Sequence, residues 1–325
     1  MFKNPDQNLS SDLSTLKKEK QSVTNSYKQQ IRELLDSGNR VLLGKESRLK
    51  LALAALFTNG HLLINDLPGV GKTTMAQLLS RLLDLNFQRI QFTSDLLPAD
   101  ITGVSIFNRE TSKFEFHPGP IFGQVILADE INRATPKSQS ALLEAMEERQ
   151  ISVEGKTWPL PAPFFVVATQ NPMEQAGTFP LPESQLDRFT LCIDLGYPNR
   201  ESERQMLQNE DPRLKLASTK PVLDSATLTE IQHQITRVHC SDALLDYLQA
   251  VVDFTRNSNR FITGYSPRAA MALLNVSRAW AFIDGRTSVL PEDIQKIIPS
   301  TVHHLRGSSG KINAMDDIIK NVAIP

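Results

Sequence analysis

A strand, a glycine-bearing loop and the start of a helix follow one another without a gap at residues 61–74, HLLINDLPGVGKTT. No other stretch limits the possible folds so strongly. His61 to Asn65 is a short apolar run of the kind that forms a buried strand. Pro68 and Gly69 break regular structure. Gly71-Lys72-Thr73 then open a segment that places Met75, Leu78, Leu79, Leu82 and Leu83 on one helical face. Strand, loop and helix in this order are the setting of a phosphate-binding loop. Backbone N–H groups of residues 69–73, at a helix N-terminus, are disposed to cradle an anion. In such a loop Lys72 reaches the β/γ-phosphates and the Thr73 hydroxyl ligates Mg2+. The usual GxxxxGK[ST] pattern starts with Gly, and Asp66 stands at that position here. That residue sets the turn leaving the strand, and Asp tolerates turn conformations.

At 325 residues the chain exceeds the usual size of one domain, so two are expected. A hydrophobic fraction of 40% and a charged fraction of 22% are those of a soluble globular protein. With a net charge of −1 no global basic field points to nucleic acid or an anionic membrane. Cys192 and Cys240, far apart in apolar patterns, read as core residues of a reducing compartment rather than a bridge or a metal site. The N-terminus lacks the apolar stretch of a signal peptide, and no run is long enough to span a bilayer, so a cytoplasmic location is the expectation.

Residues 1–22 are polar and rich in Ser, Lys and Gln, which predicts a mobile or loosely helical segment. A helix is expected from Val23 to Ser37, stopped by Gly38-Asn39-Arg40, then a short apolar hinge from Val41 to Gly44 and a buried Ala/Leu-rich helix from Glu46 to Phe57. After the loop region come strands at Gln88–Phe92, Gln124–Asp129, Pro163–Thr169 and Thr190–Leu195, with Leu96 to Gly103 read as loop. Val104–Phe107 pairs naturally with Lys113–Phe116 as an inserted hairpin, about 104–116. A second hairpin, Ile151 to Trp158, turns at Glu154-Gly155. Thr135-Pro136 start a helix running to about Arg149, and Glu183 to Phe189 is helical. Five apolar runs alternating with helices predict a parallel sheet covered on both faces, an α/β core over residues 23–197. From 198 to 325 helical periodicity takes over at about 200–209, 226–237, 241–257, 267–284 and 291–298, giving a smaller all-helical domain.

Asp129, at the tip of a buried strand, fits an acid that holds Mg2+ opposite the phosphate loop, and Glu130 beside it could orient or deprotonate an attacking water. Asn171, just past the fourth strand, could hydrogen-bond a γ-phosphate; alone it reads as a turn residue before Pro172. Arg188, alone, reads as a solvated helix charge. Arg268 follows Ser266-Pro267 and so lies in the first turn of a helix, where the dipole disfavours a cation and invites an anionic ligand. His303-His304, His117 and the solvated acids Glu144, Glu147 and Glu148 are not assigned to a site. Arg133 fits either a contact with an adjacent subunit or a structural salt bridge.

The motifs NDLPGVGKTT, TSDLLPADITG, GPIF, VILADEINRATPKSQSALLEAMEERQ, FFVVATQNP, LPESQLDRF and GYSPRA stand in this order from about residue 23 on. Together they resemble the MoxR family of AAA+ ATPases. The hairpin at 104–116 falls where this clade carries its helix-2 insert, and Asp66 looks tolerated in the family. The resemblance implies a P-loop AAA+ core with a five-stranded parallel sheet flanked by helices, plus a helical lid. It implies ATP and Mg2+ as ligands. Pro68, Gly69, Val70, Gly71, Lys72, Thr73 and Thr74 look like Walker A, and Asp129 and Glu130 like Walker B, with Thr73 and Asp129 on the metal. Asn171 matches sensor 1, and Arg188 looks like an arginine finger acting on a neighbouring subunit's ATP. Arg268 looks like sensor 2, reaching from the lid to the phosphates, and Gly44 and Lys45 match the segment flanking the adenine. A finger supplied in trans is worth ~10³–10⁵ in rate and makes hydrolysis depend on assembly. A homo-oligomeric ring, six subunits expected, is implied. Its implied task is chaperone-like remodelling or maturation of a protein client or metalloenzyme complex, with a von Willebrand factor A domain partner suggested. Two other classes stand beside this one. A nucleic-acid-directed motor is opposed by near-zero charge and the lack of a basic aromatic groove. An ATP-binding scaffold with little hydrolysis is opposed by the presence of Glu130, Asn171, Arg188 and Arg268.

Overall fold

The computed structural model describes residues 27–172, 177–208, 212–301, 305–307 and 314–324. The expected mobile segment 1–22 and the His303-His304 pair lie outside them. Numbered in chain order, β1 (Leu62–Asn65), β2 (Phe87–Gln91), β5 (Val125–Asp129), β8 (Phe165–Gln170) and β9 (Leu191–Ile193) form one parallel sheet, ordered β2-β5-β8-β1-β9. The apolar runs of β5 and β8 are central and buried along their length, as strands covered on both faces must be.

Alternation along the strands sorts side chains into two cores. Leu62, Ile64, Val125, Leu127, Phe165 and Val167 face one apolar cluster, and Leu63, Ile126, Ala128, Val166 and Ala168 face the other. The first cluster contains α2 (Glu46–Phe57) and α3 (Lys72–Leu82). It continues without a break into α9 (Ser225–Thr236), α10 (Asp242–Asn257), α11 (Pro267–Ile283) and α12 (Pro291–Thr301). The helical region therefore shares a core with one face of the sheet. The second cluster holds α5 (Pro136–Glu148) against the opposite face.

Several local expectations are corrected. Among the described residues helix α1 covers 27–41 and runs through Gly38-Asn39-Arg40 instead of stopping there. Gly38 is a packing glycine: a Cβ on it would overlap Leu49 Cδ2 of α2. The chain turns instead at Gly44, whose φ is +70°. The loop expected at Leu96–Gly103 contains a short helix, α4 (Pro98–Thr102), whose Asp100 carboxylate accepts from the Leu97 N–H at 2.9 Å. The helical stretch at Glu183–Phe189 is one turn, α6 (Glu183–Leu186). In the region after residue 198, α7 (Arg200–Gln208) is joined by α8 (Pro212–Ser218), which the periodicity did not suggest, and α13 (Ala314–Asn321) closes the described chain. The region expected to be all-helical also carries a short antiparallel pair, β10 (Phe261–Thr263) with β11 (Arg306–Gly307).

Both hairpins form. The inserted one pairs β3 (Gly103–Asn108) with β4 (Lys113–Pro118), and the second pairs β6 (Gln150–Val153) with β7 (Lys156–Pro159). Glu154 (φ +51°) and Gly155 (φ +76°) make the tight turn of the second, as two-residue hairpin loops require. The hairpins are packed together: Phe116 stacks on Trp158 with centroids 4.7 Å apart and planes 19° apart. Among the described residues no helix is long and apolar enough to cross a membrane.

Candidate functional site: clefts at the two ends of the strands

The loop between β1 and α3 owes its shape to two glycines. Gly69 and Gly71 have φ of +83° and +99°, a region costly for other residues, and a Cβ at Gly69 would meet open space. The eleven-residue helix α3 begins at Lys72 with Gly71 as its N-cap, so the first N–H groups of the helix point into that space. Lys72 Nζ donates to the carbonyls of Asp66 at 2.7 Å and Gln170 at 3.3 Å, which holds the ammonium across the mouth of the loop. A cleft of about 250 Å³ opens beside it, lined by Leu42, Lys45, Gly69, Gly71, Thr74 and Tyr197 among others. The larger cavity next to it, about 590 Å³, lies between α1 and α8 and shares Val41 and Leu43 with it, but carries no part of the loop. Pro68, Val70, Thr73 and Thr74 are where the sequence predicts them, in or beside the loop. Lys45 lines the cleft, with its ammonium donating to the Leu195 and Gly196 carbonyls at 2.7 and 2.6 Å and its pKa lowered by burial. Gly44 is different. It sits beneath α7, where a Cβ would come within 2.5 Å of Ser202 Oγ, so its contribution is close packing.

Strand β5 delivers Asp129 and Glu130 to the same end of the sheet. Asp129 Oδ1 accepts from the Thr169 hydroxyl at 2.6 Å and Oδ2 pairs with Arg89 at 2.7 Å. The Glu130 N–H donates to the same Thr169 oxygen at 2.8 Å, while its backbone adopts the left-handed conformation, φ +58° and ψ +48°. Such a conformation in a non-glycine residue is worth about 1 kcal/mol or more and is common where a side chain must be aimed. The Glu130 carboxylate is held at the rim by Gln91 at 3.0 Å and Arg133 at 3.1 Å. Arg133 is thus in an ion pair within its own chain. Asn171, buried, follows the end of β8 alongside them.

The Thr73 hydroxyl and the Asp129 carboxylate are hard oxygen donors, and the described residues hold no group of three or more His, Cys, Asp or Glu that could bind a metal by themselves. That donor set fits Mg2+, which takes one or two protein oxygens and completes its shell with phosphate and water.

The structure does not bring Arg268 into this cleft. Arg188 and Arg268 line a second one, about 470 Å³, bounded by residues 58–61, the C-terminal end of α5 and the first turns of α11. Ser266 caps α11 through the Ala269 N–H at 3.0 Å and reaches Asp187 at 3.2 Å, which docks the helix start on the core. Arg268 pairs with Glu147, and Arg188 donates to the Leu143 carbonyl. Glu147, read from the sequence as part of a solvated face, is the resting partner of a site residue. His61 also borders this cleft. Burial, with Arg149 and Arg268 adding repulsion, pushes its pKa down to about 3 against a pull from the Met146 carbonyl. Cys192 is a core thiol whose pKa burial pushes up to about 12.

Sequence reasoning missed Arg89, Gln91 and Thr169. Each is unremarkable in a strand pattern and becomes part of the site only through the pairing of β2 with β5 and β5 with β8.

Residues 61–191 match the model of the ATPase family associated with various cellular activities (AAA), and residues 253–322 match an AAA lid domain. The uncharacterized protein YeaC of Bacillus subtilis is 44% identical over 86% of this chain and 88% of its own. Chaperone MoxR1 of Mycobacterium tuberculosis is 38% identical, covering 82% and 72%, and protein MoxR of Paracoccus denitrificans is 30% identical, covering 82% and 85%. The crystal structure of a candidate ATPase from Cytophaga hutchinsonii superposes with a TM-score of 0.85 at 36% identity, over 95% of this chain and 98% of that one.

Proposed function

The chain belongs to the MoxR family of AAA+ ATPases, and we propose that it hydrolyses Mg2+-bound ATP in a ring of subunits, six in number, to remodel or mature a protein client in the cytoplasm. The observation that carries this reading is the pairing of Arg188 with Arg268 in a cleft separate from the phosphate loop. Two guanidinium groups that lie away from the chain's own phosphate loop, resting on Glu147 and on the Leu143 carbonyl, exchange these partners for a neighbour's phosphates when subunits assemble along that cleft. On this reading Arg268 acts in trans beside Arg188 rather than over its own subunit's nucleotide.

Within one subunit the loop N–H groups and Lys72 bind the β/γ-phosphates, for which Lys72 leaves the Asp66 carbonyl. Mg2+, held by Thr73 and Asp129, would supply charge neutralisation on those phosphates. Glu130 orients the attacking water and accepts its proton, its carboxylate positioned by Gln91 and Arg133. Asn171 hydrogen-bonds the same water or the terminal phosphate. Residues 198–325 act as the lid, and the partner on the client side is a protein with a von Willebrand factor A domain.

The test is ATP turnover against protein concentration for wild type, Arg188→Ala and Arg268→Ala. Specific activity is expected to rise with assembly, and either substitution to lower it by ~10²-fold or more while ATP still binds. Mixing Arg188→Ala with Lys72→Ala should restore part of the activity, because each subunit lacks what the other supplies. Turnover independent of both concentration and Arg188 would refute the shared site.

A further inference from the structure

We propose that Asp66 and Lys45 form a clasp joining the phosphate end of the nucleotide cleft to its far wall, with Asp66 a positioning residue for hydrolysis. The proposal rests on the nucleotide-binding reading above and gives a role to the one residue that departs from the phosphate-loop pattern.

Asp66 is nearly inaccessible, 8% exposed, and every polar group on it has a partner. Its Oδ2 accepts from the Leu195 and Gly196 N–H groups, both at 2.6 Å, and its Oδ1 from the Leu67 N–H at 2.7 Å. Its own N–H donates to Gln170 and its carbonyl accepts from Lys72. Lys45 takes the other side of the same dipeptide, donating to the Leu195 and Gly196 carbonyls. Residues 195–196 are thus held by their N–H groups on a carboxylate and by their carbonyls on an ammonium. Bonds with an ionised partner are roughly twice as strong as neutral ones.

A turn alone needs only the Leu67 bond, and glycine would make that turn. What glycine cannot do is reach a segment 129 residues further along the chain. The next residues, Tyr197 and Pro198, line the cleft, and so does Met206 of α7 beyond them. Asp66 is bonded at once to the lysine that meets the phosphates and to the peptide that carries the opposite wall. When Lys72 turns to a phosphate, the Asp66 carbonyl loses its cation, and the change is transmitted through a buried side chain to residues 195–196. Gln170, which shares Lys72 and the Asp66 N–H, brings the end of β8 and hence Asn171 into the same network.

Hydrogen exchange of the segment 191–198 in the full-length protein, with and without ADP or a slowly hydrolysed ATP analogue, reads the clasp directly. It is paired with nucleotide affinity and turnover for wild type, Asp66→Gly, Asp66→Asn and Lys45→Met. In wild type the Leu195 and Gly196 amides are expected to be protected, and the protection to change when nucleotide binds. In Asp66→Gly the protection is lost and no longer responds, affinity stays within about threefold, and turnover falls on the order of 10- to 100-fold. Asp66→Asn, which keeps the side-chain shape, lies between, and decides the matter by the same criteria if Asp66→Gly does not fold. The inference is overturned if Asp66→Gly keeps its nucleotide-dependent exchange or its turnover. It is also overturned if affinity and turnover fall by the same factor, which would make Asp66 part of the phosphate contact. Wild type that binds nucleotide with silent 195–196 amides refutes the clasp alone; wild type that binds none refutes the functional reading as well.

Discussion

His61 gives the fold a calculable dependence on pH. It immediately precedes β1, is 4% exposed, and packs against the rings of Phe164 and Phe165. Its Nδ1 accepts from the Val166 N–H at 3.0 Å, so the proton sits on Nε2, which faces the Met146 carbonyl at 3.3 Å. A second proton has no acceptor and would bring a positive charge beside Arg149 and Arg268. The folded pKa is accordingly about 3, against an ordinary imidazole value of 6.5. Below pH 6.5 the unfolded chain takes up a proton that the folded chain refuses. The stabilisation is therefore complete above 6.5 and is lost as pH falls from there towards 3. At pH 4.5 the loss is on the order of 3 kcal/mol, and over the whole interval on the order of 5 kcal/mol. Other groups titrate in this range, so the quantity to measure is a difference. Urea unfolding of wild type and His61→Asn is followed at pH 7.5, 6.5, 5.5 and 4.5. Asn offers an acceptor towards Val166 but cannot ionise, and at pH 7.5 it should cost about 1–3 kcal/mol for the lost Met146 bond and the smaller ring volume. That deficit should shrink by ~2–3 kcal/mol by pH 4.5. Parallel stability curves would mean that folded His61 protonates near its ordinary pKa, and the account of its burial would fail.

Two further outcomes are expected. Gly38→Ala puts a methyl group into Leu49, and forcing α1 from α2 should cost about 1–3 kcal/mol in denaturant melts; an unchanged midpoint would show that the two helices adjust freely. Glu130→Gln should bind ATP as wild type does but lower single-turnover hydrolysis by ~10²-fold or more, and wild-type rates in that variant would favour a nucleotide-dependent scaffold.

The sheet and the phosphate loop were legible because their signals are contiguous. An apolar run such as VILAD or FFVVAT has few alternatives to a buried strand, and PGVGK needs its glycines locally. Helix α4 was hidden because PADIT is only one turn long, and α8 because PRLKLAS is too short to show a period. Gly38 carried an ambiguous signal. A glycine past an apolar stretch usually marks a helix end, yet here tertiary contact with Leu49 decided its use. The site divided in the same manner. Lys72, Asp129 and Glu130 are placed by short segments and could be read singly, whereas the neighbours of Arg268 depend on how α11 docks onto α5, which no local pattern records. Asp66 was read as a turn former, and its Leu67 bond is that of a turn. Its other partners lie across the fold.

The stack of Phe116 on Trp158 bears on how this protein can be re-engineered. It unites an insertion between β2 and β5 with the hairpin that links α5 to β8, and leaves Ile106, Phe107 and Phe114 exposed at the outer end. A graft that exchanges residues 103–118 alone would set a foreign strand against Trp158 and leave half of an aromatic pair behind. The transplantable module is the two hairpins together, cut from both places in the chain.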